Sequence, residues 1–544
     1  MNPGAPPQGQ PRWKAVRARL TPGRWPGVTK SGALFLLVAA VGACRESPVQ
    51  PCPTARLAAD QARGAVGPSP FDSLFATAGA EFHVPAALLA GVAWAETRWQ
   101  TVEGAEEFPG RPAAFGVMAL RGDALTRGAA LAGVTVAAAR RDPTANIRAA
   151  AALLDAYAKE GGPAGIDRTR SDQWSAVVAR YSDIALPEAV AAYLREVDRA
   201  LPLGGNRAGL APSAAAASAC QPPPGAAPDY PPGVWRASPN FDHRAGDATG
   251  AIHLVIIHTC ESNYASCWSW LVNPASQVSA HYVVNEDGSE TSQLVREPNR
   301  AWHIAALYDC TLNRGHDCWL NGVQSNHFTV GIEHAGFASQ DSFTTAQVEA
   351  SAALVCDVTR DRGIPRDWQH IVGHGQLQPD NRTDPGPHWP WIVYVHRVQT
   401  HCGEVVVDDS AEFNDPAIAA ATLPAAWPAA DTTPDYYGGG YHWAPMQPAA
   451  TDAAEFAFYV AAAGTRTIDV RWTSGSNRSP LTPYAVITAA GDTVTTVRVD
   501  QTTGGGAWHT LGTWTLPAGW NRVVLLRRGA SGAVVVADGV RVRE

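Results

Sequence analysis

The sequence predicts a multidomain chain: an α-helical domain, then an α/β domain with a mixed sheet, then an antiparallel β-sandwich. Three observations lead to this fold class. Apolar residues recur at helical spacing between 69 and 203, apolar strands alternate with a helix between 234 and 403, and short strands separated by Gly and Pro fill 404–544. The length of 544 residues also favours several domains.

The composition is that of a globular protein, with 46% hydrophobic and 17% charged residues. The formal net charge is −8, which argues against a nucleic-acid partner for the chain as a whole. We expect a monomer.

The first 44 residues indicate export. Basic residues precede the first acidic residue, Glu46, and residues 32–43 are uniformly apolar or small, too few to span a bilayer. We interpret residues 1–44 as a signal peptide and 45–68 as a tether. Residues 41–44 resemble a bacterial lipobox, which implies lipidation of Cys44 and a lipid-anchored protein on the periplasmic face of the envelope, with the outer membrane preferred. An ordinary signal peptide with a chance cysteine is the alternative.

The cysteines fit this compartment. The chain has nine, and removal of Cys44 leaves an even number, as expected for an exported protein with disulfides. The predicted pairs are Cys260–Cys267, Cys310–Cys318, Cys356–Cys402 and Cys52–Cys220. Eight cysteines allow about 105 pairings, so this connectivity is one of many.

The helical domain, predicted for 69–203, carries a candidate acid. A helix beginning near Pro85 places Glu96 on the same face as Leu89 and Val92. A second helix carries apolar residues at similar spacing, including Ile147, Ala150, Ala151, Leu154 and Tyr157. A carboxylic acid on an apolar face has a raised pKa, which suits a general acid.

Four segments of this region resemble the lysozyme-like lytic transglycosylases in order and spacing: residues 95–99, 115–120, 142–147 and 179–182. The resemblance implies that Glu96 protonates a glycosidic oxygen and then deprotonates the 6-hydroxyl of the sugar, giving an anhydro product. Three positions depart from the family, where Thr97, Ala119 and Ser182 replace Ser, Gln and Asn. A helical domain that binds glycan, or only spaces the next domain, is the alternative.

A Pro-, Gly- and Ala-rich linker is predicted for 204–233, followed by the α/β domain at 234–403. We predict strands at 252–257, 280–284, 289–295, 329–333 and 369–373, with a hairpin turn at 285–288. Thr344 and Gln347 form a capping-box start for a helix whose apolar face is Val348, Ala352, Val355 and Val358. This alternation predicts a mixed sheet with helices packed against it.

The α/β domain contains a candidate metal site. His374 and Asp384 lie ten positions apart after a predicted strand, and imidazole with carboxylate suits zinc. The best third ligand is His258, at the end of another strand, which leaves one position open for water. The chain has 16 histidines, so other candidates exist. His253 lies five residues before His258 on the same predicted strand and hence on its opposite face. Those ranked below His374, because they lie outside the motif, are His370, His388, His396 and His401.

Several motifs resemble the zinc-dependent N-acetylmuramoyl-L-alanine amidases: residues 257–259, 279–282, 301–303, 326 with 331–333, and 373–374 with 383–387. The resemblance implies zinc ligation by His258, His374 and Asp384. It also implies Glu333 as general base and Arg382 as an oxyanion contact. His281, His303 and Asn326 are candidates for contact with substrate or for support of the site. The implied reaction is cleavage of the amide between N-acetylmuramic acid and L-alanine in peptidoglycan.

The last region, 404–544, has the alternation of an antiparallel β-sandwich. Residues 436–439, 471–478 and 535–540 resemble golvesin C-terminal-like domains, which implies carbohydrate or cell-surface binding. The aromatic residues that could stack on sugars are Tyr436, Tyr441, Trp443, Trp508 and Trp520. Core packing is the alternative function for them.

Two functions of different class follow. One is a cell-envelope zinc amidase, with a second glycan-cleaving domain. The other is an anchored peptidoglycan-binding or sensing protein with degenerate sites. Retention of His258, His374, Asp384 and Glu333 favours the enzyme, because a recognition-only domain usually lacks the third ligand.

Overall fold

The computed structural model describes residues 66–160, 166–201, 210 and 227–544. The predicted signal peptide, most of the tether and most of the linker lie outside the described residues. So do Cys44, Cys52 and Cys220, and their predicted lipidation and pairing remain predictions.

The helical region carries the two predicted helices where the periodicity places them. Its helices are α1 (Asp72–Phe82), α2 (Ala86–Thr97), α3 (Gly122–Leu131), α4 (Val136–Arg141), α5 (Pro143–Glu160), α6 (Ser175–Ser182) and α7 (Pro187–Arg199). A small antiparallel sheet joins α2 to α3: β1 (Val102–Glu103), β2 (Ala114–Gly116) and β3 (Leu120–Arg121). Helix α2 begins directly after Pro85, and Glu96 is buried on it together with Leu89 and Val92, as predicted.

The α/β region is built on a six-stranded mixed sheet in the order β11-β6-β10-β7-β8-β4. The strands are β4 (Val234–Trp235), β6 (Leu254–Thr259), β7 (Tyr282–Val284), β8 (Thr291–Gln293), β10 (Thr329–His334) and β11 (Ile371–Gly373), with β5 (Phe241–His243) and β9 (Asn299–Ala301) forming a side ribbon. The central pairs are parallel, and β7–β8 is the predicted antiparallel hairpin. The predicted mixed sheet is confirmed, except that His258 lies inside β6 and not after it.

Helices cover the sheet. They are α8 (Tyr264–Leu271), α9 (Thr345–Arg362), α10 (His374–Leu377) and α11 (Trp391–His401). Helices α9 and α11 pack on the face formed by Val255, Ile257 and Ile332. Thr344 caps α9 by accepting from the backbone N–H of Gln347 at 3.1 Å. The side chain of Gln347 donates to the carbonyl of Ala335, so the predicted capping box is half formed.

The helical and α/β regions share one hydrophobic core. Leu194 and Val197 of α7 belong to the same buried cluster as Trp268 and Leu271 of α8. Two domains predicted to be joined by a linker therefore bury apolar surface against each other, which ties the position of the helical region to the sheet.

The C-terminal region is a β-sandwich, as predicted. One sheet has the order β12-β23-β17-β20, the other β13-β16-β21-β18-β19, and a smaller sheet has the order β14-β15-β22. The bounds are β12 (Glu404–Asp408), β13 (Ala419–Thr422), β14 (Ala429–Ala430), β15 (Tyr441–Pro445), β16 (Ala453–Val460), β17 (Gly464–Arg471), β18 (Thr482–Ile487), β19 (Thr493–Val499), β20 (His509–Leu516), β21 (Gly519–Leu526), β22 (Val534–Ala537) and β23 (Gly539–Arg543). Val470 and Val540 of the first sheet pack in one core with Phe456 and Leu525 of the second.

Three predicted disulfides are confirmed, namely Cys260–Cys267, Cys310–Cys318 and Cys356–Cys402. Among the helices in the described part of the chain, none has the length and apolar character needed to cross a membrane.

Candidate metal centre

Three neighbouring strands bring the predicted site residues together. In the parallel pairing of β10 with β6, Glu333 lies opposite His258. In the pairing of β11 with β6, Gly373 lies opposite Ile257, so that His374 follows beside His258. All three side chains therefore gather at the carboxyl ends of the strands, where open α/β sheets bind their ligands.

The three predicted metal ligands converge on one point. The Nδ1 atoms of His258 and His374 lie 3.0 Å apart, and each lies 3.2 Å from a carboxylate oxygen of Asp384. The loop that carries Asp384 is fixed by its carbonyl, which accepts from the backbone N–H of Gly375 at 2.8 Å. The three side chains are at most 3% exposed. Residues that are far apart in sequence thus form one buried cluster.

A fourth residue, Glu107, completes this cluster. It lies in the loop between β1 and β2 of the helical region, and its Oε1 is 3.2 Å from His374 Nδ1. One donor atom from each of Glu107, His258, His374 and Asp384 lies within 4.8 Å of all the others. Glu107 is not among the predicted ligands, because it belongs to no motif and lies in a different predicted domain.

The donor set fits zinc. A tetrahedral shell with bonds of about 2.0 Å separates its donor atoms by about 3.3 Å. The separations among His258, His374 and Asp384 are 3.0–3.2 Å, Glu107 lies 3.2 Å from His374, and all four donors lie within 4.8 Å of one another. Two imidazoles with carboxylates are ligands that zinc accepts. Oδ1 of Asp384 is also buried without a hydrogen bond in the described part of the chain, as expected for an atom reserved for a cation.

The pKa values of the two histidines also support a cation site in this cluster. Burial, with His374 beside it, lowers the pKa of His258 to about 4. Burial also opposes protonation of His374, but Asp384 and Glu107 outweigh it and raise the pKa of His374 to about 10. The pair of histidines therefore holds one proton among several carboxylates, and a divalent cation would replace that positive charge.

Glu333 stands next to the cluster with a free oxygen. It is 1% exposed, and Oε2 has no hydrogen-bond partner among the described residues. Burial raises its pKa well above the usual range, with Glu107 and Asp384 adding to the effect. A carboxyl group beside the cluster with an unoccupied oxygen is suited to exchange a proton with a reacting group.

Arg382 is held by the same loop that carries Glu107. Its Nε lies 3.3 Å from Glu107 Oε2, and its Nη2 donates to the carbonyl of Glu107 at 3.1 Å. The predicted oxyanion contact is therefore close to the cluster, with its guanidinium already engaged.

His303 and Asn326 support the ligands. His303 Nδ1 lies 3.0 Å from His258 Nε2, and His303 Nε2 lies 3.0 Å from the hydroxyl of Thr329. Oδ1 of Asn326 accepts from the backbone N–H groups of His303 and Ile304. His303 thus orients His258, and Asn326 holds the backbone at His303, a supporting arrangement common around metal sites. Their predicted contact with substrate stays a prediction.

His281 is enclosed. It has no exposed surface; its Nδ1 accepts from the backbone N–H of Gly331 and its Nε2 lies near Arg244 Nη2 and the carbonyl of Asn299. Burial lowers its pKa well below the usual range. This geometry gives His281 a packing function and offers no support for a contact with substrate.

Glu96 forms a second buried site. Its Oε1 accepts from the hydroxyl of Tyr193 at 2.7 Å and its Oε2 from the side-chain amide of Asn263 at 3.0 Å. Burial raises its pKa, as the sequence predicts, although both hydrogen bonds oppose the shift. Glu96 lines a cavity of about 660 Å³, which Arg111 and Tyr181 of the helical region share with Trp270 of the α/β region.

The candidate sugar-stacking aromatic residues of the C-terminal sandwich differ in their exposure to solvent. Tyr441 is buried, and Tyr436, Trp443 and Trp508 are partly buried. Trp520 is 41% exposed and lies opposite Tyr459 on the neighbouring strand, with ring centroids 5.7 Å apart. Core packing therefore accounts for Tyr441 and not for Trp520.

Comparison with known proteins finds two families. The profile of the N-acetylmuramoyl-L-alanine amidase family matches residues 248–387, and that of the golvesin C-terminal domain matches 406–544. The chain is 28% identical over 227 residues to xanthan lyase of Bacillus sp. (strain GL1), covering 40% of this chain and 22% of that protein. It is 28% identical over 154 residues to N-acetylmuramoyl-L-alanine amidase AmiD of Escherichia coli (strain K12), covering 26% of this chain and 51% of AmiD.

The match to a third relative spans almost the whole length of that relative. The chain is 32% identical over 188 residues to N-acetylmuramoyl-L-alanine amidase A of Achromobacter lyticus, which is 31% of this chain and 95% of that protein. The matched family, the convergent cluster and the relative agree, and the chain belongs to the N-acetylmuramoyl-L-alanine amidase family of enzymes.

Proposed function

We propose that the α/β region hydrolyses the amide between the lactyl group of N-acetylmuramic acid and L-alanine of the peptidoglycan stem peptide, with a water activated by zinc. The observation that carries the proposal is the convergence of His258, His374 and Asp384 beside Glu333 at the strand ends. When bound by these three ligands, zinc supplies a water with a pKa lowered to about 7 and polarises the scissile carbonyl.

Glu333 is the general base of this proposal. Its unpartnered Oε2 takes the proton of the attacking water and then passes it to the departing amine of L-alanine. The burial that raises its pKa favours the second transfer, because the protonated form is then stable long enough to act as the acid.

Arg382 stabilises the charge that develops on the carbonyl oxygen. Its guanidinium lies beside the cluster, where it can donate hydrogen bonds to a developing oxyanion. In the described conformation that guanidinium contacts Glu107, so it acts on substrate only when the contact is released.

Digestion of purified sacculi tests the proposal. The full chain with zinc should release free stem peptides, identified by mass spectrometry, and a chelator should abolish the release. Binding to sacculi without any peptide product in the presence of zinc would favour the non-catalytic sensing protein.

A second activity is glycan cleavage by the helical region. We infer it from Glu96, a buried acid of raised pKa that lines the 660 Å³ cavity. Glu96 would protonate the glycosidic oxygen and then deprotonate the 6-hydroxyl of the sugar. Anhydro-muramyl ends in the same digest would reveal this activity separately from the amidase.

We also propose lipid anchoring through Cys44 on the periplasmic face of the envelope. The support is the sequence of residues 32–44 alone. Labelling of the expressed protein with a clickable fatty acid tests it, and an unlabelled protein would contradict it. For the C-terminal sandwich we propose carbohydrate or surface binding, supported by the exposed Tyr459–Trp520 pair.

A further inference from the structure

Glu107 reaches the metal centre from outside the region that builds it. The α/β region supplies His258, His374 and Asp384, whereas Glu107 comes from residues 104–113, the loop between β1 and β2. We name residues 104–113 the β1–β2 loop. Although the loop belongs to the helical region, Glu107 is only 6% exposed, and its Oε1 lies as close to His374 Nδ1 as Asp384 does, at 3.2 Å.

The number of protein donors distinguishes a structural zinc site from a catalytic one. Zinc in proteins takes four ligands when the site is structural, and a catalytic site keeps one position for water or substrate. Three donors of the α/β region would leave one position, and a carboxylate oxygen of Glu107 lies within 4.8 Å of a donor atom of each of the three. With Glu107 in place, the donor set is that of a closed site.

The second carboxylate oxygen of Glu107 contacts Arg382, the proposed oxyanion contact. Oε2 lies 3.3 Å from Nε of Arg382. The carboxylate thus spans the metal cluster on one side and Arg382 on the other. In the proposed function a reacting carbonyl would contact both the metal and Arg382, so Glu107 would compete with the substrate for these two groups.

The β1–β2 loop is fixed on both sides of Glu107. Before it, the backbone N–H of Ala105 donates to Oε2 of Glu261 at 2.8 Å. After it, Phe108 is buried, and Nη1 of Arg111 donates to the carbonyl of Ser266 at 3.1 Å. These contacts join the loop to the α/β region, so the position of Glu107 is built by the interface and is not the chance orientation of a surface side chain.

We propose that Glu107 is a fourth metal ligand supplied by the helical region, and that amide cleavage by the full chain is slowed, without being abolished, while the β1–β2 loop is in place. The proposal rests on the metal centre of the proposed function. Withdrawal would free one metal position for water and release Arg382 for the substrate.

Metal binding by the full chain tests this directly. The metal-free protein is titrated with Co²⁺, read by its visible absorption spectrum and by competition with a chelator. The variant is Glu107→Gln, and the matched control is Glu106→Gln, the same change at the exposed neighbouring residue. Melting curves of the metal-free variants check that they fold, and Glu107→Ala provides a second variant.

The expected results differ between the two positions. Loss of a ligand weakens metal affinity at least as much as loss of a supporting residue, so Glu107→Gln should bind Co²⁺ about tenfold more weakly or worse. Its spectrum should change as water replaces a carboxylate, and a chelator should remove the metal faster. At saturating Zn²⁺ it should cleave a soluble muramoyl peptide faster than the wild type, while Glu106→Gln matches the wild type throughout.

Three outcomes overturn the proposal. Unchanged affinity and spectrum in Glu107→Gln would remove Glu107 from the metal; if His374→Ala still loses Co²⁺, the proposed function stands. Loss of cleavage by Glu107→Gln at saturating Zn²⁺ would make Glu107 a participant and not an inhibitor. Failure of the folded wild type to take up Co²⁺ would remove the metal centre of the proposed function together with this proposal.

Discussion

The metal centre and the Glu96 site are both buried and acidic, but they are assembled differently. Three of the four candidate donors of the metal centre come from one region: His258 and His374 lie at the ends of adjacent parallel strands, and Asp384 lies in the loop that follows His374. Glu96 is held by one residue from each region, Tyr193 from α7 and Asn263 from the turn before α8. The four residues of the metal centre are at most 6% exposed, and Glu96, at 7% exposed, lines an open cavity.

The difference teaches where regulation can act. A site whose residues come from one region is assembled when that region folds, so a group supplied from outside, such as Glu107, is one means of controlling it. A site that needs two regions changes whenever they move. The β1–β2 loop joins the two sites, because Glu107 reaches the metal centre and Arg111 lines the cavity of Glu96.

The largest effect should come from Asp384→Ala. The variant loses a metal ligand and the anchor between two histidines, so we expect loss of zinc retention together with amide cleavage, by more than about 10⁴-fold, beyond the contribution of one general base. Metal content by mass spectrometry and stem-peptide release measure both. Any anhydro-muramyl product should persist, and its parallel loss would show that the two sites are not independent.

The next effect should come from Glu333→Gln. The amide keeps the shape of the side chain but cannot take a proton, so amide cleavage should fall by about 10²–10⁴-fold while zinc is retained. Steady-state kinetics on a muramoyl peptide, with metal content as the control, measure it. Wild-type cleavage in this variant would transfer the general-base function to another group.

A smaller and separate effect should come from Glu96→Gln. We expect anhydro-muramyl product to fall by about 10²-fold or more, because no proton donor remains for the glycosidic oxygen, and stem-peptide release to stay unchanged. One mass-spectrometric digest of sacculi reports both products. An unchanged yield of anhydro ends would remove Glu96 from catalysis and leave the helical region as a binding or spacing domain.

The smallest effect concerns Glu261, which accepts a hydrogen bond from the β1–β2 loop, and its contribution to the pH dependence of folding stability. Burial is the main cause that raises the pKa of Glu261 to about 7 from 4.5. The folded state therefore binds this proton more tightly than the unfolded state. The associated stability is present below about pH 4.5 and is lost as the pH rises to about 7.

The size of this effect is on the order of 3 kcal/mol at most. Thermal unfolding of the metal-free chain between about pH 4 and about pH 8 should show the loss in the wild type and a flatter profile in Glu261→Gln. Equal slopes in the two proteins would show that Glu261 does not titrate with unfolding.

The sequence by itself determined the local features. Strand and helix periodicity placed α2, β6, β10 and α9, because burial of one face imposes a repeat that is visible in the residues. His258, His374 and Asp384 were chosen as candidate ligands from motif and chemistry, since few side chains bind zinc, and the structure brings these three side chains together. Three disulfides also followed, two of them from short spacing along the chain.

Only the tertiary structure decided which residues distant in the sequence come into contact. Parallel register set Glu333 beside His258, and the shared core set the helical region against the α/β region. Only that packing brings Glu107 to His374, and Asn263 to Glu96, across more than 150 positions of sequence. Such contacts leave no periodic signal in the sequence. A single side chain at a domain interface contacts residues that are distant in the sequence, so no local repeat of residue types reveals the contact.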